Sequence, residues 1–128
     1  MRTINVDDLK GTDRDVIFTG GNSLRPILAK DGMGFSFHKT IIPRGGPYHW
    51  HYKYHLECCY CISGIGNLVD LKTGFEYRIE PGILYILDEH DDHTFQAYED
   101  TVLISIFNPP IVGDEHHDIN GCYELKFN

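Results

Sequence analysis

The segment Phe35-Ser36-Phe37-His38-Lys39-Thr40 carries the reading of the fold. Side chains alternate across an extended strand. Phe35 and Phe37 therefore share one face, and Ser36, His38 and Thr40 share the other. A strand that turns serine, histidine and threonine to one side fits a small barrel with a polar-lined lumen. The same parity applies to Thr101–Asn108: Val102, Ile104 and Ile106 fall on one face, and Leu103, Ser105 and Phe107 on the other. The second set is mixed, as the walls of ligand pockets are.

Working outward, turn signals recur at short intervals: Gly20-Gly21, Asp31-Gly32, Pro43-Arg44-Gly45-Gly46, Gly64-Ile65-Gly66, Lys72-Thr73-Gly74, Pro81-Gly82 and Pro109-Pro110. No long helical period survives between them. Eight Tyr, seven Phe and many β-branched residues fill the intervals, which predicts an all-β protein with only short helical or turn segments.

At 128 residues the chain suits one domain, because two cores of half this size would each be marginal. Hydrophobic residues make up 41% and charged residues 23%, ordinary values for a folded soluble protein. A formal charge of −8 opposes binding to nucleic acid or to an anionic membrane, both of which require a basic surface. Neither a leader peptide nor an apolar run long enough to span a bilayer stands out, so a cytoplasmic protein is expected. Cys58, Cys59 and Cys61 crowd one strand and Cys122 stands apart, a poor disulfide layout. They read as reduced cysteines of a buried strand, with a thiolate zinc site as the alternative.

Gly45, His51, Glu57 and Gly64 keep one characteristic spacing, and Gly82 and His93 keep another. These frames resemble the two motifs of the cupins, small β-barrels whose lumen holds a metal. Lys53 replaces the second histidine of the first motif, and Asp88 and His90 replace the proline and glycine of the second. Strand parity adds Tyr85, which shares a face with Ile83 and Leu87. Glu57, Tyr85 and His93 then form a mixed oxygen and nitrogen donor set that leaves coordination positions open, suited to iron(II), with zinc or another divalent ion as alternatives. Taken singly, Glu57 could instead be a buried ion-pair partner, Tyr85 a core aromatic, and His93 a surface residue of the acidic loop 88–92.

A wider likeness is carried by Gly11-Thr12-x-Arg14-Asp15-Val16, Asp31-Gly32-Met33-Gly34-Phe35-Ser36-Phe37-His38, His55-Leu56-Glu57, Tyr60-Cys61-Ile62, Pro81-Gly82-x-x-Tyr85, Leu87-Asp88-x-His90-Asp91-x-His93 and Phe107-Asn108-Pro109-Pro110. In this order, from about residue 6 to Tyr123, the chain resembles the ectoine synthase family. The resemblance implies a single-domain cupin β-barrel of the jelly-roll type over residues 1–128. It also implies a homodimer, a bound iron, and the cyclisation of N-γ-acetyl-L-2,4-diaminobutyrate to ectoine with loss of water.

By the same resemblance, Glu57, Tyr85 and His93 are metal ligands, and Tyr52 and His55 are catalytic residues beside the metal. Arg25, Thr40, Ser105 and Phe107 fall at substrate positions, and Glu115 and His117 form a C-terminal pair that helps to close the site. This chain departs from the family at Gly21 and His51, where tryptophan is usual, and at Ser105, where cysteine is usual. Those departures leave two alternatives: another cupin reaction on a small molecule, an oxygenation or an isomerisation, or a non-catalytic cupin that only binds one.

Overall fold

The computed structural model describes residues 1–126. Ten strands follow one another: β1 (Asp15–Phe18), β2 (Gly21–Ile27), β3 (Ser36–Ile42), β4 (Gly45–His51), β5 (Leu56–Ser63), β6 (Gly66–Asp70), β7 (Glu76–Ile79), β8 (Leu84–Leu87), β9 (Asp92–Ala97) and β10 (Thr101–Asn108). Helical structure is confined to 3-10 turns at Val6–Leu9 and Ala29–Asp31. The turn signals fall between strands or at their first residues, with Gly21 opening β2, Gly45 and Gly46 opening β4 and Gly66 opening β6.

All pairings are antiparallel. They build a six-stranded sheet in the order β1-β2-β3-β10-β5-β8 and a four-stranded sheet in the order β4-β9-β6-β7. Inner residues of the two sheets pack together: Ile42, Leu103 and Cys61 from the first meet Trp50, Leu68, Ile79 and Phe95 from the second. Fully burying side chains of this size contributes about 2 kcal/mol each. This apolar filling closes one end of the barrel and leaves the polar residues for the other.

Strand register arranges the inner face of the large sheet in rows. Ser36, Phe107, Glu57 and Leu87 lie side by side across β3, β10, β5 and β8. His38, Ser105, Cys59 and Tyr85 form the next row, and Thr40, Leu103 and Cys61 the row after it. Because side chains alternate, every second residue of each strand enters a row. The Phe37 face of β3 and the Val102, Ile104 and Ile106 face of β10 turn outward, as their parity predicts.

Residues 109–126 form a strap without strand structure. The Ile111 N–H donates to Ser36 Oγ (2.9 Å) and the Ile111 carbonyl accepts from the Ala29 N–H (2.9 Å), which fixes the strap to the large sheet. At its other end, the His51 N–H donates to the Gly121 carbonyl (2.8 Å), which fixes it to the small one. Position 121 requires glycine: φ is +73°, and a Cβ would stand 2.2 Å from the His49 carbonyl oxygen. The strap buries Ile111, Glu115, Cys122 and Tyr123. It thereby covers the polar end of the barrel.

Candidate active site

Beneath the strap lies a fully buried guanidinium. Arg25 Nε donates to Ser23 Oγ (2.8 Å) and Nη1 to the Gly113 carbonyl (2.9 Å), while Nη2 reaches the Tyr123 hydroxyl at 3.5 Å. No carboxylate of the described residues forms an ion pair with it. A buried cation without a counter-charge is costly, and the cheapest relief is an anionic ligand that takes the remaining donors.

Across the lumen, Glu57 is also buried. Its register neighbours Phe107 and Leu87 are apolar, and burial raises its carboxyl to about 8. It makes no ion pair among the described residues, so the salt-bridge reading of Glu57 does not hold. Tyr85 is buried beside Cys59, and burial raises its phenol well above the usual tyrosine range. His93 is 2% exposed, not a surface residue. Its Nδ1 lies 2.9 Å from the Asp91 carbonyl, where the protonated nitrogen donates and leaves Nε2 unprotonated. That bond sets the tautomer a metal-binding imidazole uses. Burial keeps the ring neutral.

A carboxyl, a phenol and a neutral imidazole fit a divalent ion, since all three are buried and a cation would offset the cost of ionising the first two. Among the described residues no three His, Cys, Asp or Glu side chains gather for a metal, so a donor set here has to include a residue of another kind. The thiolate alternative fails on parity: Cys59 and Cys61 point inward, whereas Cys58 is on the opposite face.

Between these two poles lie the remaining side chains. The Tyr52 hydroxyl is 2.7 Å from His117 Nε2. Burial holds the Tyr52 phenol protonated, and burial together with the Arg25 charge lowers His117 to about 3, so that both are neutral. His55 is buried with no hydrogen-bond partner for Nδ1, and burial lowers its pKa. Thr40 Oγ1 and Ser105 Oγ are 2.9 Å apart, and Ser105 Oγ is 3.5 Å from Cys59 Sγ. The Phe107 ring packs edge-on against Tyr52 and His55. Glu115 turns inward, yet its two carboxylate oxygens accept the N–H groups of Val112 (2.7 Å) and Gly113 (2.8 Å). It thus shapes the strap that presents Gly113 to Arg25.

Two buried residues of this lumen carry no site role in the sequence reading, although strand parity already puts His38 on its polar face. His38 is fully buried, bonded through Nε2 to Ser36 Oγ (3.0 Å), with Nδ1 unpartnered. Cys59 lies between Tyr85 and Ser105 in its row. Parity with Glu57 and Thr40 signals both.

Comparisons with known proteins identify the family. The family model described as ectoine synthase matches residues 1–127. The chain belongs to the ectoine synthase family. An L-ectoine synthase of Desulfosudis oleivorans is 49% identical over 122 residues, 94% of this chain and 95% of that protein. The crystal structure of ectoine synthase from P. lautus matches with a TM-score of 0.83 at 37% identity, over 88% of this chain and 80% of that one. The cupin domain of Schizosaccharomyces pombe Cnp3 shares the fold alone, with a TM-score of 0.56 at 11% identity over 68% of this chain and 59% of that one. The fold is that of a cupin, and membership of the ectoine synthase family makes the chain a carbon–oxygen lyase.

The departures from the ectoine synthase pattern sort by direction. His51 points outward, with Nδ1 3.8 Å from Asp92 Oδ1, because its neighbour Trp50 takes the inner face of β4. The cupin motif position it fills is therefore turned away from the lumen. Gly21 is constrained by its own sheet: a Cβ there would stand 2.0 Å from the Ile41 carbonyl oxygen, so no side chain fits without moving β2. Ser105 is the departure that faces the site.

Proposed function

We propose that this protein closes N-γ-acetyl-L-2,4-diaminobutyrate into ectoine with loss of water, in a cytoplasmic reaction that depends on a divalent ion, iron(II) being the expected one. The observation that carries this reading is the buried, unpaired Arg25 in the same lumen as Glu57, Tyr85 and His93. An amino acid with an acylated side chain has a carboxylate for the first and a carbonyl for the second.

Glu57, Tyr85 and His93 would hold the ion, which would supply Lewis acidity to the substrate carbonyl. The protein's residues do the rest. Arg25 takes the substrate carboxylate in a bidentate grip and turns the α-amine toward the acetamide, so that ring closure starts from a near-attack pose. His55, neutral and with a free ring nitrogen, accepts a proton from the amine as the carbon–nitrogen bond forms. Tyr52, held protonated, hydrogen-bonds the oxygen as it takes the two protons shed by the amine nitrogen, relayed by His55, and departs as water, and His117 keeps its hydroxyl in place. Phe107 and the strap exclude bulk water, which an enzyme that expels water requires.

A second copy of the chain is the expected partner. Tyr60 and Ile62 on β5 and Leu84 and Ile86 on β8 expose a contiguous apolar face on the large sheet, of the kind that interfaces cover.

The test is incubation of pure protein with iron(II) and the acylated diamino acid, followed by proton NMR. Formation of ectoine is the expected result. An unchanged substrate with correctly loaded protein would overturn the reading.

A further inference from the structure

One buried thiol stands among the proposed ligands with no task in the reaction described above. Cys59 follows Glu57 by two positions on β5, so both side chains enter the lumen from the same face. Across the sheet, Cys59 is the register partner of Ser105 on β10 and of Tyr85 on β8. It is 1% exposed. Its sulfur lies 3.5 Å from Ser105 Oγ and touches the Glu57 carboxyl and the Tyr85 hydroxyl.

The protons of this cluster can be counted. With an ion bound, Glu57 and Tyr85 are ionised and can only accept hydrogen bonds. Thr40, Ser105 and Cys59 each have one proton to give. Thr40 Oγ1 lies 2.9 Å from Ser105 Oγ, so the three side chains form a line that ends on the two anions.

We infer that Cys59 is a positioning residue of the metal centre, its S–H donating to the Tyr85 phenolate oxygen and fixing the direction from which that oxygen meets the ion. The charged end sets the sense of the whole line: Thr40 donates to Ser105, Ser105 to Cys59 or Glu57, and Cys59 to Tyr85. Hydrogen bonds that run in one sense polarise one another, so the last of them is the strongest. This inference rests on the metal reading above and adds to it a residue that does not itself bind the ion.

The phenolate provides the readout. Tyrosinate bound to iron(III) absorbs visible light by charge transfer to the metal, and the energy of that band depends on the hydrogen bonds its oxygen accepts. Stripped full-length protein is loaded with iron(III) alone and its spectrum recorded. Cys59→Ala removes the donor and should move the band to longer wavelength by roughly 10 to 20 nm, the size of one hydrogen bond to a charged group. Cys59→Ser keeps a donor and should restore most of the shift. Cys61→Ala removes a buried thiol one row away, whose proton goes to the Ser63 carbonyl at 3.4 Å, and should leave the band in place. Cobalt(II) titrated alone should bind Cys59→Ala about tenfold more weakly, the loss expected when a partner of a metal ligand is removed.

An unmoved band and unchanged cobalt(II) affinity in Cys59→Ala, a shift that Cys59→Ser does not reverse, or an equal shift in Cys61→Ala would overturn the inference. So would a sulfur-to-cobalt(II) band in the near ultraviolet that Cys59→Ala abolishes, since the thiol would then be a ligand. Failure of the metal reading has a different signature: a charge-transfer band absent from the original protein, or one that survives Tyr85→Phe, removes Tyr85 from the ligands and Cys59 from its role together.

Discussion

The Tyr52 hydroxyl lies 2.7 Å from His117 Nε2, and this bond joins the β4–β5 connection to the C-terminal strap. A group that handles the departing oxygen is thereby tied to the segment that seals the site.

Tyr52→Phe removes the hydroxyl and little else. Loss of a positioned proton donor costs about 100-fold or more in kcat. Iron(II) affinity should stay within a few-fold of the original, because Tyr52 is not a ligand. Steady-state kinetics beside a metal titration check this. An unchanged kcat would remove Tyr52 from the chemistry.

Arg25→Met should raise KM by about 100-fold, the loss of a charge-assisted bidentate contact. The fold should not suffer in proportion, since a buried guanidinium without a counter-ion gives little net stability. Thermal melting is expected to be unchanged or higher in the variant. A strongly lowered melting temperature with KM intact would make Arg25 a structural residue.

Acid should destabilise the protein in two windows. The unfolded chain protonates His117 near 6.5 while the folded one, through burial and the Arg25 charge, resists until about 3. Stability therefore falls as pH drops through that range. Asp31 is held at about 2 against an ordinary 3.8, chiefly by the Leu28 N–H bond and then by Arg14 and Arg2. Its contribution, about 2 kcal/mol, is present above pH 4 and lost as pH falls toward 2. Denaturant melts from pH 7 to 2 check both, and Asp31→Asn should flatten the lower window.

Ile86→Lys places a charge on the exposed apolar face of β8, where the side chain is 60% accessible in the single chain. Sedimentation should show a dimer for the original protein and a monomer for the variant, with the β-sheet circular dichroism of both alike. A monomeric original protein would leave that face without its partner.

Much of this was legible in the sequence, and for a local reason. Ser36, His38 and Thr40 enter the lumen because strand parity is fixed by the backbone, and the same rule placed Leu103, Ser105 and Phe107. Glu57 and His93 stood at motif spacing and Tyr85 at strand parity, because each follows a turn at a fixed distance along its strand. What spacing alone could not reveal was long-range. His51 keeps the motif spacing, yet the packing of Trp50 turns it outward. Cys59 was read as a structural thiol, and its register partners Tyr85 and Ser105 place it in the site. Glu115 has no local sign of its task, which depends on the path of the strap.

The metal content of the reconstituted protein tests the account most directly. Stripped protein is loaded with iron(II) under anaerobic conditions, desalted, and assayed for iron and for ectoine formation, beside Glu57→Ala, Tyr85→Phe and His93→Ala. Iron is expected to be retained in proportion to protein for the original chain and to fall in every variant, with ectoine formation falling alongside it. Variants that keep their iron and their turnover would show that the ion, if the reaction needs one, is held elsewhere.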